Sequence, residues 1–464
     1  MDLPTPLFPI AGRPMLYHHV EACAKVPNLQ EILLIGAYDA GLFASFMDRV
    51  TRNIIGIPSI RYLQERQHLG TGGGLRTFRE DIESGGPDLF FVLHFDICCS
   101  FPLVDMLHHH IRAQAFVTVL GKRVFPDEAK TYGCLVADPD SSEVVHWAEK
   151  PTSFVSDLIN CGVYLLNMDM LQDIVELGDA LADQRQQAAL RSATYPHLFH
   201  NIPDQLRYDD ACWHDLLGCH FQREDDDPLY RRLEQDFLLP MAGTQTLFVF
   251  ETGDFWCQIK TPGMAVMCSE LYMQRYRYVD PTLLASTGGK LSPRIEGNVV
   301  VHPSASVHPT AKLGPNVCVG AGVTIGRGVR VAHSIVLAGT TIRDHACVLF
   351  SILGWNAMVG EWVRVEGTAA PTHTLQRQKY YTRSVMMVLF AEIWTCVWIR
   401  TTYKTTIGEP PNDKPDAASV GGGGVRDVTI LGTAVVCMPE VIVRNCIVLP
   451  RKTLTQSCHN QVLL

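Results

Sequence analysis

The stretch Ile295-Glu-Gly-Asn-Val-Val-Val301-His-Pro-Ser-Ala-Ser-Val307-His-Pro-Thr-Ala-Lys-Leu313-Gly-Pro-Asn-Val-Cys-Val319-Gly-Ala-Gly-Val-Thr-Ile325-Gly-Arg-Gly-Val-Arg-Val331 decides the fold. An aliphatic residue returns at every sixth position, and Gly, Ala, Pro, Asn and Ser fill most of the places between. That period fits neither an amphipathic helix nor an alternating strand. It fits a left-handed parallel β-helix, whose triangular coil turns one aliphatic residue per face inward and rounds its corners with small residues. The pattern then loosens and returns, in Val331-Ala-His-Ser-Ile-Val336, Ser351-Ile-Leu-Gly354 and Val443-Arg-Asn-Cys-Ile-Val448. Coils of this kind scaffold and oligomerise, so no chemistry is assigned to residues 291–464.

Upstream, the period changes. Glu31–Gly36, Ile60–Gln64 and Asp88–Asp96 read as short buried strands, with helices expected around Gly41–Val50 and Leu75–Ile82. Further strands are expected near Phe116–Leu120, Tyr132–Ala137, Val144–Glu149 and Asn160–Leu166. Alternating strands and helices predict an α/β domain over 1–260, with a doubly wound, mostly parallel, Rossmann-like sheet that takes its ligand at the carboxyl ends of the strands. A helix over Pro262–Tyr276 is expected to lie in a linker spanning 261–290. Residues 178–228 are polar and irregular, and carry no element assignment.

Several short motifs could bear chemistry, each weak by itself. Gly70-Thr71-Gly72-Gly73-Gly74 lets a backbone approach a ligand with its amides free to donate. Asp96, at a strand's carboxyl end, could hold a hard cation such as Mg2+ or cap a turn. Glu149-Lys150-Pro151 pairs a hydroxyl acceptor with a phosphate-binding cation. Asn160-Cys161-Gly162 sets an amide beside bare backbone. His108-His109-His110 cannot share one helix face, so a metal site there is not expected, and Glu224–Asp227 reads as a solvated loop.

Composition narrows the function. The 464 residues are enough for two domains and carry a net charge of −9, which argues against a nucleic-acid partner. The 15 cysteines show no C-x-x-C spacing and read as reduced, buried thiols of a cytoplasmic protein. No signal peptide is visible at Met1-Asp-Leu-Pro4. The most apolar run, Val385–Ile399, contains Glu392 and falls short of the roughly 18–20 residues a membrane span needs.

Taken together and in this order, the motifs resemble the GDP-mannose pyrophosphorylase (mannose-1-phosphate guanylyltransferase) family, and within it the alpha, regulatory-type subunit. The matching stretches are Pro6–Gly12, His18–Cys23, Glu31–Gly36, Arg61–Glu65, Leu69–Leu75, Ile159–Gly162, Trp256–Lys260 and Gly354-Trp355. The resemblance implies that Glu65 and the loop of Gly70, Thr71, Gly72 and Gly73 face the guanine nucleotide. It implies that Asp96 corresponds to the family's metal aspartate, and that Gly133, Glu149, Lys150, Asn160 and Gly162 hold the sugar and its phosphate. Gln258 falls where catalytic members place a second metal carboxylate, which leaves Asp96 as a vestigial metal residue.

Two more departures accompany Gln258. The chain opens past the Gly-rich G-x-G-T-R loop of catalytic members, so the first strand and phosphate loop are expected to be missing, an incomplete gene model being one reading. The family's Pro-Lys-Pro stands here as Pro4-Thr5-Pro6. A further segment, 369–424, departs from the hexapeptide pattern. Its core, Ala369–Glu409, is read as a translated intron or species-specific insertion, with an amphipathic interaction helix at Ser384–Arg400 as the alternative.

The resemblance therefore implies a regulatory subunit that binds GDP-mannose and feedback-inhibits a catalytic beta-subunit paralogue, in a hetero-oligomer that self-associates through the β-helix. Binding would need no cofactor. The alternative is a catalytic guanylyltransferase that uses Mg2+ to make GDP-mannose and pyrophosphate from GTP and mannose 1-phosphate.

Overall fold

The computed structural model describes residues 4–66, 70–174, 176, 232–286, 288, 292–368 and 428–463. The irregular stretch 178–228, with its Glu224–Asp227 loop, and the atypical segment 369–424, with its Ser384–Arg400 helix, lie outside the described residues. The chain divides into two compact units, one of Met1–Leu7 and Leu16–Thr252, the other of Phe8–Met15 and Gly253–Leu464.

In the second unit the hexapeptide pattern folds as read. Short strands stack into three parallel sheets of seven, seven and six strands. Ile295, Leu313, Val331, Val348, Val365, Val443 and Cys458 run up one face. Val301, Val319, Val336, Leu353, Leu431, Val448 and Leu463 run up the next. Val307, Ile325, Ile342, Val359, Cys437 and Leu454 run up the third. These columns meet in one apolar core, where full burial of each aliphatic side chain stabilises by roughly 1.5–3 kcal/mol.

The loosening past Val331 has a local cause. Leu313 to Val331 is a step of 18 residues, whereas Val331 to Val348 and Val348 to Val365 are steps of 17. One corner has shrunk to a single left-handed residue, first His333 (φ 47°) and then Phe350 (φ 46°), whose rings stack at 4.6 Å. Val365 to Val443 is a step of 78, which is 78 − 17 = 61 residues longer, yet Val443 stacks on Val365 in register. At that same corner Gly367 N–H donates to Leu349 O at 2.9 Å, the rung that Phe350 makes with Ala332 and Asn445 with Glu366.

The helix expected in a linker spans Pro262–Val279 and is packed within the second unit. Ser269 Oγ accepts from Ala11 N–H at 3.1 Å, Met273 meets Cys318, and the Arg13 guanidinium lies over the Tyr276 ring.

The first unit is α/β, and its strands are numbered here β1 (Ile32–Gly36), β2 (Ile60–Gln64), β3 (Leu89–Leu93), β4 (Val117–Arg123), β5 (Gly133–Ala137), β6 (Val144–Glu149), β7 (Leu158–Asn167) and β8 (Leu247–Glu251). β1 and β2 pair in parallel. The other six form one sheet around β7. That sheet is less parallel than expected. β7 runs antiparallel to β3, β4 and β5, β5 to β6, and only β8 joins β4 in parallel. The link between β5 and β6 explains part of this. It is the tight turn Asp138–Glu143, in which Asp138 Oδ1 accepts from the Asp140 and Ser141 amides. A parallel pair needs a crossover of about a dozen residues or more.

Candidate functional site

β7 changes neighbours along one edge. Near its start Ile159 pairs with Cys134 of β5, and from Val163 onward it pairs with β3. Between the two partners the strand bulges. Gly162 turns to φ 69° there, and its N–H donates to Asn160 Oδ1 at 2.9 Å. A side chain at 162 would also strike Ile97 and the His94 ring, so the bulge requires glycine. The gap on this edge, between the end of β3 and the start of β5, is where most of the expected site residues gather.

Gly133 and Glu149 face each other across β5 and β6. A Cβ at Gly133 would stand 2.6 Å from Glu149 Oε2 and 3.3 Å from Trp147 Nε1. Burial, reinforced by the charge on Glu234, pushes the Glu149 carboxyl above the usual range. Lys150 follows at φ 41°, a conformation that costs a lysine on the order of 1 kcal/mol. Asp96 lies three residues beyond the end of β3, in the turn before Ile97 rather than on the strand.

The glycine-rich segment differs from the expected open loop. Gly70–Thr77 is an α-helix, with Gly72, Gly73 and Gly74 buried in it and Gly70 entering at φ 75°. Glycine is a poor helix former. Here the bare backbone lets Glu65 approach, since its Oε1 would stand 2.8 Å from a Cβ at Gly74. The first-turn amides of an α-helix have no partner within the helix, so this segment can still present donors.

Four residues carry the centre without having been singled out from the sequence. Glu234, on the short Leu233–Leu238 helix, stands with Oε1 3.0 Å from His94 Nε2. It accepts from Tyr164 Oη at 3.0 Å and from Thr71 Oγ1 at 3.1 Å. Tyr164 in turn accepts from Asn160 Nδ2 at 2.8 Å. Arg232 adds positive potential at Glu149. Burial opposes ionisation of Glu234, yet His94 and Tyr164 outweigh it and hold the carboxyl at about 2. Burial likewise opposes the charged His94 ring, but Glu234, helped by Asp96 and Glu149, keeps its pKa above the usual value. Tyr164 lies within the strand expected near Asn160–Leu166 but had no assigned role. Glu234 and Arg232 follow the unassigned 178–228 stretch, with no local pattern to announce them.

The structure thus brings Thr71, Gly133, Glu149, Asn160 and Gly162 together around Glu234, with Asp96 contributing to the same field and Lys150 next to Glu149. Glu65 sits against the glycine helix. Gln258 belongs to the second unit, on the short strand Trp256–Gln258. Among the described residues no three His, Cys, Asp or Glu side chains converge as a cation site. The described residues therefore do not furnish a three-ligand Mg2+ set. The histidine triplet is structural where described: His110 is buried, with Nδ1 2.8 Å from Thr118 Oγ1 and Nε2 3.0 Å from Asn167 Oδ1. No helix among the described residues is long and apolar enough to cross a membrane.

What this site can do is hold a polyhydroxylated, phosphorylated ligand. It offers a carboxylate acceptor, an oriented amide, bare backbone and a cation. Comparison with known proteins identifies the family. Residues 1–218 match the Nucleotidyl transferase family, and residues 295–463 match the GMPPB C-terminal domain. Across the whole chain, and 95% of the relative's length, it is 43% identical to mannose-1-phosphate guanyltransferase alpha-B of Xenopus laevis. It is 39% identical, across 94% of that relative, to mannose-1-phosphate guanylyltransferase regulatory subunit alpha of Dictyostelium discoideum. The baboon (Papio anubis) protein of the same name is 40% identical. The chain belongs to the family of mannose-1-phosphate guanylyltransferase alpha subunits.

Proposed function

We propose that this chain is a regulatory subunit that binds GDP-mannose and feedback-inhibits a catalytic mannose-1-phosphate guanylyltransferase partner. The observation that carries the reading is identity of about 40% over the full length to proteins named as regulatory alpha subunits. The chemistry of the site favours the same reading. Glu149 and Asn160 suit sugar hydroxyls, Lys150 suits a phosphate, and the amides opening the Gly70–Thr77 helix suit the nucleotide. Gln258, standing where catalytic members of the family carry a second metal carboxylate, can hydrogen-bond a hydroxyl or phosphate but adds no negative charge. Loss of charge at that position weakens transition-state stabilisation more than ground-state binding. Binding would therefore proceed without a metal.

The test is calorimetric titration of the full-length chain with GDP-mannose in the presence of EDTA. Saturable binding, unchanged when Mg2+ replaces EDTA, is the expected result. Absence of binding would leave a scaffold without a nucleotide-sugar site.

A further inference from the structure

We propose that Glu234 is a positioning residue that couples the glycine-rich helix to the Asn160 edge of β7, so that the two ends of the bound nucleotide sugar are recognised cooperatively. The inference rests on the proposed GDP-mannose site and assigns to it a residue outside every motif read from the sequence.

The hydrogen bonds run in one direction. Leu233 N–H donates to Thr71 Oγ1 at 2.9 Å, which fixes the Thr71 hydroxyl to donate onward to Glu234 Oε2 at 3.1 Å. From the other side, Asn160 Nδ2 donates to Tyr164 Oη at 2.8 Å, and Tyr164 donates to Glu234 Oε1 at 3.0 Å. Gly162 N–H donates to Asn160 Oδ1. An ionised carboxylate only accepts, so it is the natural sink of both chains. The Glu234 side chain is 15% exposed, where charge-assisted bonds are stronger and polarise those behind them.

The consequence is geometric. With Oδ1 and one Nδ2 hydrogen engaged, the Asn160 amide cannot flip, and its second hydrogen points in a single direction. Thr71 lies on the helix expected to face the nucleotide, and Asn160 on the strand expected to face the sugar. A ligand that orders one end lowers the cost of ordering the other, because both are tethered to one partly buried group. A plain tether for the Leu233–Leu238 helix would hold that segment in place but would not make the two ends interdependent.

The experiment is a double-mutant cycle on the full-length chain, read by titration with GDP-mannose and with GDP. Thr71→Val and Tyr164→Phe each delete one donor to Glu234 and leave Glu234 itself in place. Each is expected to weaken GDP-mannose binding roughly three- to tenfold, with the double variant at least threefold better than the product of the singles predicts. Glu234→Gln, which cannot accept on both arms, should lower the ratio of GDP-mannose to GDP affinity about tenfold and make the other two substitutions additive. Additive effects in the natural background, or an unchanged ligand ratio in Glu234→Gln, would overturn the coupling. If Glu234→Gln fails to fold, the Thr71–Tyr164 cycle still decides. Binding with additive effects removes this inference alone, whereas no GDP-mannose binding by the unsubstituted chain removes the proposed function as well.

Discussion

A methyl group at residue 133 would stand 2.6 Å from Glu149 Oε2 and 3.3 Å from Trp147 Nε1. Gly133→Ala must therefore push the Glu149 carboxylate out of its place. The expected cost in stability is about 1–3 kcal/mol, as for other overpacked sites, and GDP-mannose affinity should fall about tenfold or more by calorimetry. Glu234 supports a second expectation at this scale. Its carboxyl is held at about 2, against an ordinary value of 4.5. A depressed carboxyl contributes stability that is fully present above its unfolded value and is lost as pH falls through its folded one. Melting temperature should accordingly fall between about pH 4.5 and 2, and more shallowly in Glu234→Gln. Equal acid slopes in both proteins would count against the partly buried His94–Glu234 pair. Residues of this kind were the least legible in the sequence. Glu149 and Asn160 sit in recognisable motifs and Gly133 came from the family resemblance, but His94 and Glu234 owe their roles to contacts 70 or more positions away, as Tyr164 to Glu234 spans 70 and Thr71 to Glu234 spans 163.

Secondary-structure elements were easier to read, and the differences have physical causes. The strands at Val144–Glu149 and Ile60–Gln64 appear at the bounds expected for them, because short apolar runs between turn residues signal a buried strand directly. Strand direction is not encoded in alternation, and the parallel expectation gave way around β7. The short Asp138–Glu143 link held the clue. The glycine run was read as a loop because helix propensity disfavours it, yet packing against Glu65 selects a helix. The β-helix was plain from its period, and the drop from 18 to 17 residues per coil is what blurred it. That register also yields a prediction. Removing residues 368–428 takes out the 61 residues by which one coil exceeds 17, and joins Gly367 to Thr429. The coils on either side already stack directly, through Val365 on Val443 and Leu353 on Leu431. The shortened chain should melt at the same temperature or higher, whereas a large drop would show that the excised segment supports the coil.

For the whole molecule, the two units carry different kinds of information. The β-helix is a rigid stack with a single aliphatic core, suited to holding partners. The α/β unit concentrates buried polar groups along one edge of β7, where a ligand could be held. Family membership adds that relatives similar across the whole chain are named as regulatory subunits. Under the proposed function, this chain senses GDP-mannose on behalf of a catalytic partner instead of making it. Pyrophosphate release from GTP and mannose 1-phosphate, followed with Mg2+ present and GDP-mannose titrated in, tests that claim most directly. The purified chain alone should release none, and adding it to the catalytic subunit should make that subunit more sensitive to inhibition by GDP-mannose. Robust pyrophosphate release by the chain alone would contradict the account.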